Sequence, residues 1–103
     1  MKILVEGHIY ELDFMGGTGK QIIRFVKIIP LADGTTELEM VIDGTTNEEV
    51  LTALIDRLQY LNSSLPSRET SLAITKCEEA LMWLNLRAER RRTKGIEDKQ
   101  ISA

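Results

Sequence analysis

Five positively charged side chains fall within the eight residues from 87 to 94, although the chain is acidic overall. The whole chain carries 13 Lys and Arg against 16 Asp and Glu, a formal net charge of −3. Clustered guanidinium groups bind phosphate oxygens through paired, charge-assisted hydrogen bonds, so this basic segment could hold an anion. The alternative is a solvated helix end, where the macrodipole favours cations. The cluster comprises Arg87, Arg90, Arg91, Arg92 and Lys94.

An aromatic ring and a further arginine flank the polar segment 62–66. Tyr60 precedes this segment and Arg68 follows it. A tyrosine ring near guanidinium groups can stack on a nucleobase while the guanidiniums pair with its phosphates. Equally, Tyr60 could shield the loop, and Arg68 could pair with Glu69 or Asp56 on the surface. Spacing alone leaves both interpretations open.

The residues needed for catalysis do not occur in a usable pattern. His8 and Cys77 are the only residues of their types, so no histidine-paired triad or multi-histidine metal site can form within one chain. The glycine-rich segment 15–20 lacks the spacing of a phosphate-binding loop, because Phe14 stands where its first glycine belongs and Gln21 replaces the magnesium-binding hydroxyl. We therefore expect no enzyme activity, no metal and no cofactor.

Length and composition indicate one compact domain with a small core. The 103 residues include 43% hydrophobic residues, and no apolar run approaches the roughly 20 residues of a membrane span. The start of the chain is charged too early for a signal peptide, and the single cysteine fits a reducing compartment. We expect a cytoplasmic protein without a membrane partner, and oligomerisation as a supplement to its small core.

The elements that position these residues change character near residue 44. Alternating and β-branched patterns predict strands over 8–14, 21–29 and 37–43, with Pro30 ending the second and Asp33-Gly34 forming a hairpin turn. Helical spacing then predicts helices over about 47–63 and 67–94. Pro66 breaks them apart, Ser67 caps the second, and Gly95 ends it.

These elements predict an α+β fold: an antiparallel β-meander in residues 1–44, followed by an antiparallel helical hairpin in residues 45–95. Residues 96–103 are expected to form a flexible tail.

The second helix carries a surface beyond its predicted packing face. Lys76, Trp83, Arg87 and Lys94 lie close to one line along that helix, and Arg91 lies between this line and the apolar stripe. Met82 and Leu86 widen the apolar surface beyond what one partner helix needs. Such a surface favours a subunit interface, although core packing of Trp83 is an equally open interpretation.

Two segments of the hairpin, 43–51 and 67–84, closely resemble the phage Thoeris anti-defence sponge family. That family shares its C-terminal helical hairpin with the anti-CBASS cyclic-oligonucleotide sponges. Residues 8–13 are also similar to the β part of the Thoeris sponges. The resemblance implies a protein that acts in the cytoplasm of an infected bacterium. It would bind a cyclic ADP-ribose isomer (glycocyclic ADP-ribose), made from NAD by a TIR enzyme, and would keep it from a cell-killing effector without degrading it.

The resemblance also implies how the site is built. Members of the family form dimers, or hexamers of dimers, with pockets between protomers, and some hold cyclic oligonucleotides in separate pockets. Thr70 stands where relatives commonly have Asn, and a hydroxyl replaces only one of the hydrogen bonds of an amide. Lys76 would approach a phosphate by looser analogy. The ligand-binding residues implied are Tyr60 for base stacking, Arg87 and Arg91 for phosphate, and Arg68, Thr70 and Lys76 around them.

Three alternatives stay open at this point. The ligand could be a CBASS cyclic di- or trinucleotide instead. The protein could bind nucleic acid through the basic segment, although its acidic net charge disfavours this and we expect no nucleic-acid partner. It could also be an assembly protein without a ligand, with Trp83 and Met82 in an oligomer interface.

Overall fold

The computed structural model describes residues 1–31 and 37–102, with side chains as far as residue 94. The chain forms two compact units, Met1–Thr46 and Asn47–Ala103. The first unit contains antiparallel strands and the second a helical hairpin, so the predicted α+β class is confirmed. That the two units share one compact domain stays a prediction. The elements are β1 Lys2–Val5, β2 Ile9–Asp13, β3 Lys20–Arg24, β4 Lys27–Pro30, β5 Leu38–Ile42, α1 Asn47–Ser64 and α2 Arg68–Ser102.

Strands β1, β2 and β3 form an antiparallel meander in chain order. The β2–β3 ladder runs from Ile9 opposite Arg24 to Asp13 opposite Lys20. The glycine-rich segment closes this ladder as a tight turn, in which the Gly17 N–H donates to the Phe14 carbonyl at 3.0 Å. Gly17 has a φ of 74°, a conformation that glycine adopts without steric cost. The segment is thus a hairpin turn.

The single strand predicted over 21–29 is wrong, because the chain changes hydrogen-bonding partners in its middle. Up to Arg24 the strand pairs with β2, and the Phe25 N–H still donates to the His8 carbonyl at 2.7 Å. The next residue, Val26, donates instead to the Thr45 carbonyl at 2.9 Å. The run therefore divides into β3 and β4, which belong to different sheets.

Strand β4 pairs with β5 in a separate two-stranded antiparallel sheet. The predicted Asp33-Gly34 turn between them lies outside the described residues. Strand β1 was not predicted, since the run Lys2–Val5 is only 4 residues long. In the structure all four of its residues are exposed. The predicted three-stranded meander is therefore corrected to five strands in two sheets.

The helical hairpin begins and turns close to the predicted positions. Helix α1 starts at Asn47, directly after Thr46, and ends at Ser64, just before Pro66. Ser67 is the predicted N-cap of α2, because its Oγ accepts the Thr70 N–H at 3.0 Å. The predicted end of α2 at Gly95 is wrong, since the helix continues to Ser102. Glycine inside a helix costs only about 1 kcal/mol relative to alanine, so it does not force termination. The flexibility of 96–103 stays a prediction.

Packing between α1 and α2 leaves little of the hairpin fully covered. Ile55, with 9% of its surface exposed, is the one hydrophobic residue in the buried class among the described residues. Leu54 and Leu61 of the predicted α1 stripe stay 42% and 41% exposed. Several apolar side chains of the predicted packing faces are half-buried: Leu51 and Leu58 of α1, and Ile74, Cys77, Leu81 and Leu84 of α2.

Candidate functional site

Three of the predicted binding residues lie at the turn of the hairpin. Tyr60 is in the last two turns of α1, and 71% of its surface is exposed, so its ring is open to a stacking partner. Arg68 is the first residue of α2 and is exposed. In the described part of the chain it forms no ion pair with Glu69 or Asp56. We call Tyr60, Arg68 and Thr70 the turn cluster.

Side-chain hydrogen bonds hold the turn in one conformation. The Ser67 N–H donates to the Asn62 Oδ1 at 3.0 Å, and the Asn62 Nδ2 donates to the Ser71 Oγ at 3.1 Å. The Ser67 hydroxyl donates to the Thr70 Oγ1 at 2.8 Å. Thr70 thus accepts within the cap and keeps its own hydroxyl proton for another acceptor. Sequence reasoning missed the role of Asn62, which only the folded turn reveals.

The other two predicted arginines lie far along α2. Arg87 and Arg91 are exposed and occupy positions one helical turn apart. Within the described residues neither guanidinium has a carboxylate partner or a side-chain hydrogen bond. Two unpaired guanidiniums at this spacing present donors to one anion, such as a phosphate. We call them the arginine pair.

Lys76 lies between the turn cluster and the arginine pair, and unlike the arginines it forms an ion pair in the described part of the chain. Its Nζ is 3.6 Å from the Glu79 carboxylate, with both side chains more than half exposed. Exposed pairs of this spacing contribute about 0.3–0.5 kcal/mol, so an anionic ligand could displace the carboxylate. Lys76 is therefore a weaker candidate than either arginine.

One protomer does not bring the predicted binding residues together. Arg68 and Arg87 are separated by 19 positions of one continuous helix, which corresponds to about 28 Å at 1.5 Å per residue. The turn cluster and the arginine pair therefore occupy separate regions of the hairpin. A compact nucleotide cannot touch both groups within a single chain.

An apolar groove of about 780 Å³ runs between the helices, well away from the turn. Its position was not predicted, although Trp83 and Met82 had been singled out as surplus apolar surface. Both stay open to solvent, with Trp83 62% and Met82 55% exposed. Carboxylates at its rim make it unsuitable for an anion. The lining residues are Thr52, Ile55, Glu78, Leu81, Met82, Trp83, Asn85, Leu86 and Glu89.

The described part of the chain has neither a cluster of metal ligands nor a helix suited to a membrane. Within residues 1–31 and 37–94, no three His, Cys, Asp or Glu side chains come together as metal ligands do. No helix of the described chain has the length and apolarity that crossing a bilayer requires.

Comparison with known proteins places the hairpin in a family. Residues 24–89 match the family model described as "Acb2/Tad1, hairpin domain". The matched segment reaches from the end of β3 through α1 and most of α2. It contains the turn cluster, Lys76 and Arg87, and it ends two residues before Arg91.

A curated phage protein is similar to part of the chain. It is called Thoeris anti-defense 1 and comes from Bacillus phage SBSphiJ7, and it is 50% identical over 56 residues. The alignment covers 53% of this chain and 39% of the relative, so it spans less than half of the relative's length.

Proposed function

Because the chain belongs to the Acb2/Tad1 hairpin-domain family, we propose that it is a phage anti-defence protein that binds and sequesters a nucleotide immune signal. The similarity to a Thoeris anti-defense protein supports Thoeris immunity as its target. The ligand we propose is a cyclic ADP-ribose isomer, the signal that the sequence resemblance implies. Such a ligand combines an adenine ring with a diphosphate, and so needs both a stacking surface and cations.

The main support for this proposal is that the described chain exposes both an aromatic ring for stacking and guanidiniums for binding phosphate. Tyr60 offers an open aromatic face, and the arginine pair has no intramolecular acceptor in the described residues. Stacking on an aromatic ring contributes about 1–3 kcal/mol per base. Each hydrogen bond to a charged group adds about 1.5–3 kcal/mol. Together these contributions suit tight capture of a small dianion.

Since about 28 Å of helix separates Arg68 from Arg87, we propose that one pocket takes the turn cluster from one copy and the arginine pair from another. The protein then acts as a homo-oligomer, a dimer or a hexamer, with pockets at contacts between copies. This arrangement also accounts for the open ring of Tyr60 and for the lack of an acceptor for the arginine pair among the described residues.

The proposed action is binding without chemistry. The described side chains provide guanidiniums, a phenol and hydroxyls around the ligand, and no general base beside a nucleophile. Sequestration needs only that the dissociation constant lies below the concentration at which the effector responds. We therefore propose a binding protein that is not an enzyme and uses no cofactor.

The direct test is calorimetry of the purified chain with each linkage isomer of glycocyclic ADP-ribose. We expect saturable binding at micromolar protein or tighter. We also expect recovery of intact ligand by mass spectrometry after heat denaturation of the complex. Recovery of a hydrolysed product would reject sequestration, and no heat from either isomer would reject the proposed ligand.

The same titration with CBASS cyclic di- and trinucleotides separates the alternative ligand from the proposed one. Binding of these compounds alone would identify the chain as a cyclic-oligonucleotide sponge. Binding of both types without competition would indicate two pockets. A gel shift with DNA or RNA that weakens steeply with salt would instead favour the nucleic-acid alternative.

A further inference from the structure

The turn of the hairpin is held by hydrogen bonds and hardly by apolar burial. The leucines nearest to it, Leu61 and Leu65, stay 41% and 82% exposed. Among the described residues, both hydrogen bonds that join the last turn of α1 to Ser67 and α2 come from one side chain, the half-buried amide of Asn62. The placement of the first turn of α2 against α1 therefore depends on this amide.

The two bonds fix the amide of Asn62 in one orientation. The Ser67 N–H can only donate, so Oδ1 must face it, at 3.0 Å. Nδ2 then lies toward Ser71 and donates to its Oγ at 3.1 Å. Ser67 and Ser71 are joined by a helical hydrogen bond of their own, from the Ser71 N–H to the Ser67 carbonyl at 3.1 Å. Because the amide contacts both ends of this helical turn, it holds the direction of α2 as well as its position.

The turn cluster takes its members from both helices, so this link sets their relative position. Tyr60 is on α1, two residues before Asn62, whereas Arg68 directly follows Ser67 and begins α2. We propose that Asn62 is a positioning residue, which holds Arg68 where its guanidinium and the ring of Tyr60 engage one nucleotide together. Guanidinium–phosphate pairing and ring stacking both depend on such geometry. The inference rests on the proposed function and adds to it a residue that acts through its neighbours.

Loss of the amide should leave both helices intact. The cap of α2 is separate from it, since the Ser67 Oγ accepts the Thr70 N–H at 3.0 Å. Alanine has a higher helix propensity than asparagine, so α1 loses nothing locally. Asn62→Ala thus removes the link between the helices and retains the signals that form each of them. The expected defect is a displaced turn cluster, which weakens binding.

Calorimetry with glycocyclic ADP-ribose would compare the wild type with three variants of graded effect. Asn62→Ala removes both bonds, and we expect the affinity to fall at least about fivefold. Ser71→Ala removes only the acceptor of Nδ2, and the affinity should fall by about two- to fivefold. Ser63→Ala is the matched control, because it removes a hydrogen bond to the Tyr60 carbonyl that stays within α1. Its affinity should change by less than about twofold.

A double-mutant cycle separates positioning from general stability. In Tyr60→Ala the turn cluster has no member on α1, so adding Asn62→Ala to this variant should change the affinity by less than about twofold. An equal loss in both backgrounds would overturn the positioning role, as would an affinity of Asn62→Ala equal to that of the wild type. Urea unfolding checks that every variant is folded.

A measurement without ligand distinguishes failure of this inference from failure of the proposed function. Exchange of the Ser67 amide proton with solvent, followed by NMR, should be at least about fivefold faster in Asn62→Ala than in the wild type, and unchanged in Ser63→Ala. Equal rates in Asn62→Ala and the wild type would overturn the inference whatever the ligand. Faster exchange in a chain whose wild type binds none of the nucleotides would instead reject the proposed function, and the positioning role with it.

Discussion

Arg87 is the member of the arginine pair that lies within the segment matched by the family model. Its guanidinium has no acceptor among the described residues. The helix already fixes the backbone position of this arginine. Binding of an anion therefore has to order only the rotamers of its side chain. Its contribution should therefore appear in affinity and hardly in folding.

We predict that Arg87→Ala weakens binding of glycocyclic ADP-ribose by about 1.5–3 kcal/mol, the cost of one lost charged hydrogen bond. The free energy of unfolding should change by less than about 0.5 kcal/mol, as for an exposed surface substitution. Calorimetry and urea unfolding measure the two quantities. Arg92→Ala removes another exposed arginine of the same segment and should leave affinity unchanged. An unaltered dissociation constant for Arg87→Ala would remove this residue from the site.

Asp13 at the end of β2 has a pKa that its neighbours shift. A hydrogen bond from Lys20, helped by the amino group of Met1, holds the pKa of Asp13 below its usual value of 3.8. The same contact raises the pKa of Lys20 above 10.5. The carboxylate therefore stabilises the β2–β3 hairpin at neutral pH, and this stabilisation is lost as the pH falls through the lowered pKa.

Asp13→Asn should accordingly lower the melting temperature at pH 7, and the difference from the wild type should shrink and vanish as the pH falls below 3.8. The effect is small because the pair is exposed to solvent. Thermal unfolding followed by circular dichroism at several pH values measures it. Asp43→Asn replaces a carboxylate that has no ion pair in the described chain, and it controls for the change of side chain alone. A difference that persists at low pH would refute the assignment to this ion pair.

At the scale of elements, the change of partner at Phe25 and Val26 organises the β unit. Residues 24–26 exchange backbone hydrogen bonds with the segment that leads into α1, since the Thr45 N–H donates to the Arg24 carbonyl at 2.7 Å. Gly44 permits this close approach: a Cβ at that position would overlap the Arg24 carbonyl group. The glycine is needed here for space, and its φ is not positive.

Gly44→Ala should therefore destabilise the β unit by about 1–3 kcal/mol, as overpacking does. That range corresponds to a fall in melting temperature of at least about 4 °C for a domain of this size. Gly16→Ala is the matched control, because a Cβ there meets nothing within 4 Å. Differential scanning calorimetry of both variants measures the contrast. Equal melting temperatures for the two would show that the approach of residues 24 and 44 does not matter for stability.

The helices were more predictable than the strands, for physical reasons. Caps and breakers are local signals, and Ser67 and Pro66 mark the turn of the hairpin in sequence as they do in structure. The division of 21–29 depends on Thr45, some twenty residues away, which no local pattern contains. Of the site, local sequence could indicate the ring and the arginines, and the predicted helix over 67–94 already implies about 28 Å between Arg68 and Arg87. It could not indicate the hydrogen bonds of Asn62, because they join α1 to Ser67 and to α2 across the turn.

At the scale of the whole molecule, the helical hairpin buries little apolar surface for its length. Among its described residues Ile55 alone is in the buried class, while Leu65, Leu72, Met82 and Trp83 are each about half exposed or more. Small domains with thin cores are commonly stabilised by association. Binding of ligand between copies would then stabilise the assembly further, by an amount that grows with ligand concentration over the dissociation constant.

A shared pocket makes a prediction that no single-chain site can satisfy. Tyr60→Ala removes the stacking ring and Arg87→Ala removes a phosphate contact, so each variant alone should bind poorly. In a dimer that contains one chain of each kind, one pocket carries both defects and the other carries none. After unfolding and refolding of an equimolar mixture, about half of the dimers are mixed, so about a quarter of the wild-type binding capacity should return. Calorimetry measures the recovered stoichiometry. A mixture that binds no better than its components would place Tyr60 and Arg87 in different sites, and the shared pocket would be wrong.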